Sequence, residues 1–248
     1  LGFFLFAGCC DLSRNQSPAA TQGKTYVIVH GAWGGAWAFR ELDNLLTTRG
    51  HKVYRPTLTG QGERVHLASL DVGLDTHITD VVNTVLFEEL KDIVLVGHSY
   101  GGMVVTGVAD RIPERIAQLI YLDAFVPQDG ESVQGNRGDQ DWINRSVKNG
   151  FIIPTWVSAD QPYPKDVPHP QKTLTDKISL KNPDRLKIRT DYILTVDPGK
   201  KPDEDGFYDS YKSAQSMGWP LHILPADHNA QWSAPKELAS MLNRIAQE

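Results

Sequence analysis

The chain has 248 residues, 40% of them hydrophobic and 22% charged, with a formal net charge of −5. That length buries a sizeable core in one domain, or in one domain with an insertion, and the lack of a basic stripe argues against nucleic acid as a partner. The two cysteines, Cys9 and Cys10, are adjacent, so no disulfide framework can staple the fold, and there is no CxxC or Cys/His metal pattern.

In chain order, the opening LGFFLFAGCC is apolar and uncharged, and the polar stretch DLSRNQSPAATQGK follows it. A run this short cannot cross a bilayer as a helix. It resembles the end of a secretory signal peptide, and Phe6-Ala7-Gly8-Cys9 is similar to the processing box of bacterial lipoproteins, in which the cysteine is lipidated. The expectation is export, to the bacterial periplasm or to a membrane through a lipidated Cys9. Residues 1–23 would be signal remnant and disordered tether, and a cytoplasmic chain is the alternative.

From Thr25 onward strands and helices alternate. TYVIVH predicts a strand ending in the glycine loop GAWGG, and AWAFRELDNLLTTRG a helix with Trp37, Leu42, Leu45 and Leu46 on one face and Gly50 as its stop. HKVYRP is a strand closed by Pro56, TLTGQGERVH a loop, and DTHITDVVNTVLFEEL a helix opened by an Asp or Thr cap. DIVLVGHS is a buried strand, YGGMVVTGVADRIPE a helix to about Ile112, and IAQLIYLDAF another strand. Between about residues 127 and 187 the rhythm breaks, and this segment reads as an inserted cap with some helix of its own. Alternation then resumes with the strand TDYILTV, the helix DEDGFYDSYKSAQSMG, the strand PLHILPA and the amphipathic helix APKELASMLNRIAQE. Residues 24–248 are therefore expected to form an α/β domain, a mainly parallel central sheet with helices on both faces. Ligands of such folds bind at the carboxyl ends of the strands.

The loops after the strands carry the chemistry. Gly97-His98-Ser99-Tyr100-Gly101 fits G-x-S-x-G, with strand before and helix after, a turn that exposes a serine hydroxyl at a helix N-terminus. Serine needs a base, and of the eight histidines only His228, in PADHNAQW, follows the last strand, where a loop can reach back over Ser99. Two aspartates could orient that imidazole. Asp123, in the apolar stretch LIYLDAFVP, would be costly to bury without a partner, and this favours it. Asp197 follows YILTV and opens the solvated run DPGKKPDEDG; it is the alternative acid. Backbone N–H groups of Ala32, in HGAWGG, and of Tyr100 are candidate oxyanion donors. Trp33, Trp142, Phe151 and Trp156 are candidate walls of a pocket for a small apolar or aryl ester.

Together VHGAW, GHSYGGMV, YLDAFVP and ADHNAQW resemble the α/β-hydrolase superfamily, in the branch holding hydroxynitrile lyases, plant methyl-ester esterases such as the salicylate-binding esterase, and similar bacterial esterases. The likeness runs from about Thr25 to the C-terminus and is weak only across the cap. It implies Ser99 as nucleophile, His228 as base, and Ala32 with Tyr100 as oxyanion donors. Plant members place the acid as at Asp197, some haloalkane dehalogenases as at Asp123, so the resemblance leaves both open. Lyases of the branch carry a threonine in the first glycine loop and a lysine after the histidine, where this chain has Ala32 and Asn229; no cation would hold a cyanide leaving group there. Dehalogenation needs a carboxylate where Ser99 stands. The expected function is a serine esterase using no metal or organic cofactor. The alternatives are a lactonase or amidase with the same triad, or a non-catalytic small-molecule binding protein on the same fold.

Overall fold

The computed structural model describes Gly2, residues 23–136 and residues 146–248. The expectations for Cys9, for the tether up to residue 22 and for Trp142 lie outside the described residues. Among those described, the strands are β1 (Thr25–Val29), β2 (Lys52–Tyr54), β3 (Ile93–Ser99), β4 (Ile116–Ala124), β5 (Val147–Lys148), β6 (Phe151–Ile152), β7 (His169–Pro170), β8 (Arg189–Val196) and β9 (Leu221–Pro225). The α-helices are α1 (Arg40–Thr47), α2 (Leu74–Phe87), α3 (Gly101–Arg111), α4 (Val133–Asn136), α5 (Lys172–Thr175), α6 (Tyr208–Ser216), α7 (Ala230–Ser233) and α8 (Pro235–Ile245). None of these helices is long and apolar enough to cross a membrane.

Six strands form one sheet in the order β2-β1-β3-β4-β8-β9, every neighbouring pair parallel. Because successive side chains of a strand point to opposite faces, the continuous apolar runs feed two cores at once. Val27, Val29, Leu95, Leu119 and Tyr121 pack on the face covered by α2 and α3. Tyr26, Ile28, Val94, Val96, Ile120 and Leu122 pack on the opposite face with α1 and α8. The chain leaves β1 toward β2 on one side and returns to β3 on the other. The loops after β1 and β3 therefore diverge at a topological switch point, and the crevice between them is where such sheets bind ligands.

Helix α3 is buried from Gly101 to Ala109. A Cβ on Gly102 would lie 2.1 Å from the Phe125 carbonyl oxygen and 2.9 Å from its nitrogen. Backbone, unlike a flexible side chain, cannot swing aside, so glycine sets how closely α3 approaches the end of β4.

Two elements differ in detail from the expectation. The first helix opens as a 3₁₀ turn over Ala36–Phe39, and the loop TLTGQGERVH contains a 3₁₀ turn over Gly62–Leu67. The segment between β4 and β8 holds not only the short helices α4 and α5 but a three-stranded antiparallel sheet, β5-β6-β7. Strands of two residues, one of them containing Pro170, are too short to print a period in the sequence. Substituting Gly102→Ala should lower stability by about 1–3 kcal/mol through overpacking against Phe125; a urea midpoint unchanged from wild type would refute the close-approach argument.

Candidate active site

Ser99 ends β3 with φ of +56°, a conformation that L-residues adopt at a cost and that functional turns retain. Gly97 lets the turn close, since a Cβ there would lie 2.8 Å from the Gly101 carbonyl oxygen and 2.6 Å from Val105. The serine thus stands just ahead of the N-terminus of α3, where negative charge is favoured.

Beside it the neighbouring strand does something equally unusual. In the β3–β4 ladder His98 pairs with Leu122 but Ser99 pairs with Ala124, so Asp123 is an extra, unpaired residue, a bulge of the kind that re-aims side chains. Its φ is +45° and its side chain is fully buried. One carboxylate oxygen accepts from the Thr195 N–H at 3.1 Å and the other from His228 Nδ1 at 2.6 Å. Tyr192 closes the bulge: its hydroxyl donates to the Ala124 carbonyl at 2.9 Å and accepts the Ala124 N–H at 3.1 Å. Burial pushes the Asp123 carboxyl up to about 6, opposed by the Thr195 hydrogen bond and by His98.

His228 follows β9 and is held on three sides. Phe207 stacks parallel on its ring at 4.9 Å, Asp123 takes Nδ1, and His98 Nε2 donates to its backbone carbonyl at 2.8 Å. Asp197, by contrast, lies at the end of β8 with a half-exposed side chain paired to Lys200 at 2.6 Å; the structure brings Asp123, not Asp197, to His228 Nδ1.

The loop after β1 is stitched to the insert at Trp33, whose φ is +64°. Its N–H donates to His169 Nδ1 at 3.2 Å, its indole N–H to the Ile152 carbonyl at 3.0 Å, and its carbonyl accepts the Val167 N–H at 2.9 Å. Because His169 Nδ1 is an acceptor, Nε2 carries the proton and donates to Thr173 Oγ1 at 2.7 Å. On the other flank His77 Nε2 donates to the Thr59 carbonyl and Nδ1 accepts from the Tyr100 hydroxyl, each at 2.9 Å. His30 likewise accepts the Leu58 N–H at Nε2, 3.1 Å away, and donates from Nδ1 to the Gly31 carbonyl. Burial pulls His30 and His77 down to about 4 and His98 to about 3, and holds His169 well below the ordinary histidine range. These are neutral rings that brace loops.

Ser99, His228, Ala32 and Trp33 line two adjoining cavities. The inner lobe, about 310 Å³, is walled by Phe125, Val133, Leu174 and Phe207, with Asp205 at its edge. The outer lobe, about 460 Å³, is walled by Trp33, Trp37, Trp156 and Trp232, with Gln161, Asp166 and Gln231 among its polar groups. Tyr100 lines the inner lobe beside Ser99. Among the described residues no group of three or more His, Cys, Asp or Glu side chains could hold a metal ion.

The alpha/beta hydrolase family model matches residues 26–241, nearly the whole sheet and its helices. The chain belongs to the alpha/beta hydrolase family. Over 108 residues, 44% of this hydrolase and 45% of the relative, it is 56% identical to a carbendazim hydrolyzing esterase of Nocardioides sp. (strain SG-4G), so that match spans less than half of the relative's length. The pFDCC methylesterase MES16 of Arabidopsis thaliana is 30% identical over 257 residues, covering 88% of the hydrolase and 93% of the plant protein. An extracellular alpha/beta-hydrolase structure from a Paenibacillus species superposes with a TM-score of 0.74 at 24% identity, covering 89% of this chain and 98% of that one. The fold expected from strand–helix alternation and the resemblance to plant methyl-ester esterases both hold.

Of the expected wall residues, Trp33 and Trp156 line the outer lobe in edge-to-face contact, 5.1 Å apart. Phe151 does not: it sits on β6 opposite Lys148 and Pro170, outside the lining of either lobe. Sequence reasoning missed Phe207, Thr195 and Tyr192, whose roles depend on strands meeting in space and leave no local signal. The brace at His98 was closer to hand, since that residue stands inside the serine motif.

The buried histidines give the hydrolase a signed pH dependence. Unfolded, His30, His77, His98 and His169 take protons near pH 6.5, whereas folded His30 and His77 stay neutral to about pH 4, His98 to about pH 3, and His169 to well below the ordinary histidine range. Asp123 works the other way, binding its proton near pH 6 when folded. Around pH 5 the unfolded chain therefore binds more protons than the native one through these groups, and stability should fall as pH drops from 7 to 5. Urea midpoints at pH 7, 6 and 5 measure this, and a flat profile would contradict the neutral, buried assignment.

Proposed function

We propose that this hydrolase is a serine esterase that cleaves small carboxylic esters through an acyl-enzyme intermediate. The observation that carries the reading is the 2.6 Å bond from His228 Nδ1 to buried Asp123, on a ring that lines both lobes beside Ser99. With Nδ1–H engaged, Nε2 is the basic nitrogen, the tautomer suited to take a proton from Ser99 Oγ. In this reading Ser99 attacks the ester carbonyl while His228 takes its proton. The displaced electron pair collects on oxygen against the N–H groups of Ala32 and Tyr100. Collapse expels the alcohol, which receives the proton from His228, and water then repeats the sequence on the acyl carbon. Asp123 holds the imidazole in register and stabilises its cation without taking the proton.

The names of the esterase relatives support an ester substrate, and the aromatic walls of the two lobes favour a small apolar or aryl one. Asn229, which follows His228 and lines the outer lobe, supplies no cation for lyase chemistry. Trp156, Val157, Gln161 and Asp166 of the insert also line that lobe, which supports reading about residues 127–187 as a cap. Export, with Cys9 as the lipid attachment point, is proposed on the N-terminal sequence alone.

Incubation with a fluorophosphonate should add one adduct to the intact mass of the wild type and none to Ser99→Ala. A folded wild type that takes no adduct would favour a binding protein on the same scaffold. The acid is separable by kinetics: Asp123→Asn should lose on the order of 10⁴ in kcat, while Asp197→Asn, which removes only a surface pair with Lys200, should stay within a few-fold. The reverse order would overturn the assignment of Asp123.

A further inference from the structure

The run DPGKKPDEDG reads in sequence as solvated, yet one of its carboxylates turns inward. Asp205, between β8 and α6, is half-buried at the edge of the inner lobe among Phe125, Leu174 and Phe207. One carboxylate oxygen accepts the Phe207 N–H at 2.8 Å. The other has no hydrogen-bond or ion-pair partner among the described residues. Its neighbours along the chain do not share this setting: Asp203 and Glu204 are exposed. Burial, and the nearby Asp123, raise the Asp205 carboxyl above its ordinary value, the mark of a group in an environment that does not fully satisfy it.

A carboxylate facing an apolar wall is costly unless a donor reaches it, and the mechanism above has no use for this one. Asp123 already occupies His228 Nδ1. The walls, with Phe125 and Phe207 set edge to face at 5.0 Å, suit a flat ring, and about 310 Å³ is room for a fused bicycle rather than a long chain. Resting on the esterase reading of this site, we propose that Asp205 is a specificity-determining residue that accepts a hydrogen bond from an N–H on the ring of an aryl or heteroaryl ester held in the inner lobe. A site built around such an acceptor discriminates against the isostere lacking the donor, because the second oxygen of the half-buried carboxylate is then left against the aromatic wall without that donor.

The test uses methyl indole-2-, -3- and -5-carboxylates against the corresponding benzofurans, which replace the ring N–H by oxygen at nearly constant shape. Values of kcat/KM are normalised to the hydroxide-catalysed hydrolysis of each ester. At least one pair should favour the indole by on the order of 10- to 100-fold, and that ratio should collapse toward unity in Asp205→Leu, with Asp205→Asn between. Fluorophosphonate labelling of Ser99 in each variant reports that the fold and nucleophile survive. If Asp205 acted only through its field on His228, both members of each pair would slow together and the ratio would stand, which overturns the proposal. Equal turnover of all pairs by the wild type overturns it too, leaving the esterase reading in place. Turnover of none of the esters by an unlabelled wild type is the separate failure of that reading.

Discussion

The bond between His228 and Asp123 is the contact on which the rest of the site depends. A carboxylate fully enclosed in the sheet would be expelled or neutralised without partners. Here it is kept by the imidazole N–H and the Thr195 backbone N–H. The bulge at Asp123 exists to make that possible: a regular ladder would pair the residue and aim its side chain along the sheet's alternation. Tyr192 takes up the Ala124 N–H and C=O that the irregularity sets free. Two left-handed residues, Ser99 and Asp123, thereby sit side by side on adjacent strands.

Around that contact the molecule uses histidines as buried braces. His30, His77 and His169 each combine an N–H donor with a basic acceptor in one rigid ring, so a neutral imidazole ties two chain segments together, and His98 donates to the His228 carbonyl. His169 fastens the insert to Trp33, next to Ala32, and His77 anchors the Tyr100 side chain. The two backbone N–H groups proposed as oxyanion donors thus belong to segments fixed from opposite flanks, and fixed dipoles are what would make such a hole effective. The same neutrality makes the arrangement sensitive to acid, since His30, His77 and His169 cannot charge without losing an accepted bond.

The two lobes differ in their walls. The outer one is larger, rimmed by tryptophans and partly built by the segment between β4 and β8; the inner one is smaller, largely apolar, and has the carboxylates of Asp123 and Asp205 among its lining groups. Ser99 and His228 stand where they meet. On the proposed reading, an ester seated across that junction would send its two halves into chemically different surroundings, formed largely by the loops after β1, β4, β8 and β9.

Much of this was legible in the residues. Apolar runs such as IVLV dictate strands buried on both faces, the glycines around Ser99 dictate a sharp turn into a helix, and the position of His228 after the last strand brings an imidazole to the same cavities as Ser99. Each of these is local: the spacing of side chains along a few residues determines backbone conformation. Asp123 was favoured over Asp197 by the cost of burying a charge, an argument that composition around a residue can make. What the tertiary structure alone decided is where non-adjacent groups meet. The bulge, the stack of Phe207 on His228, the sheet inside the insert, the removal of Phe151 from the pocket and the inward turn of Asp205 all depend on the registry of segments far apart in sequence. That registry follows from how two cores pack against one sheet, and no local pattern encodes it.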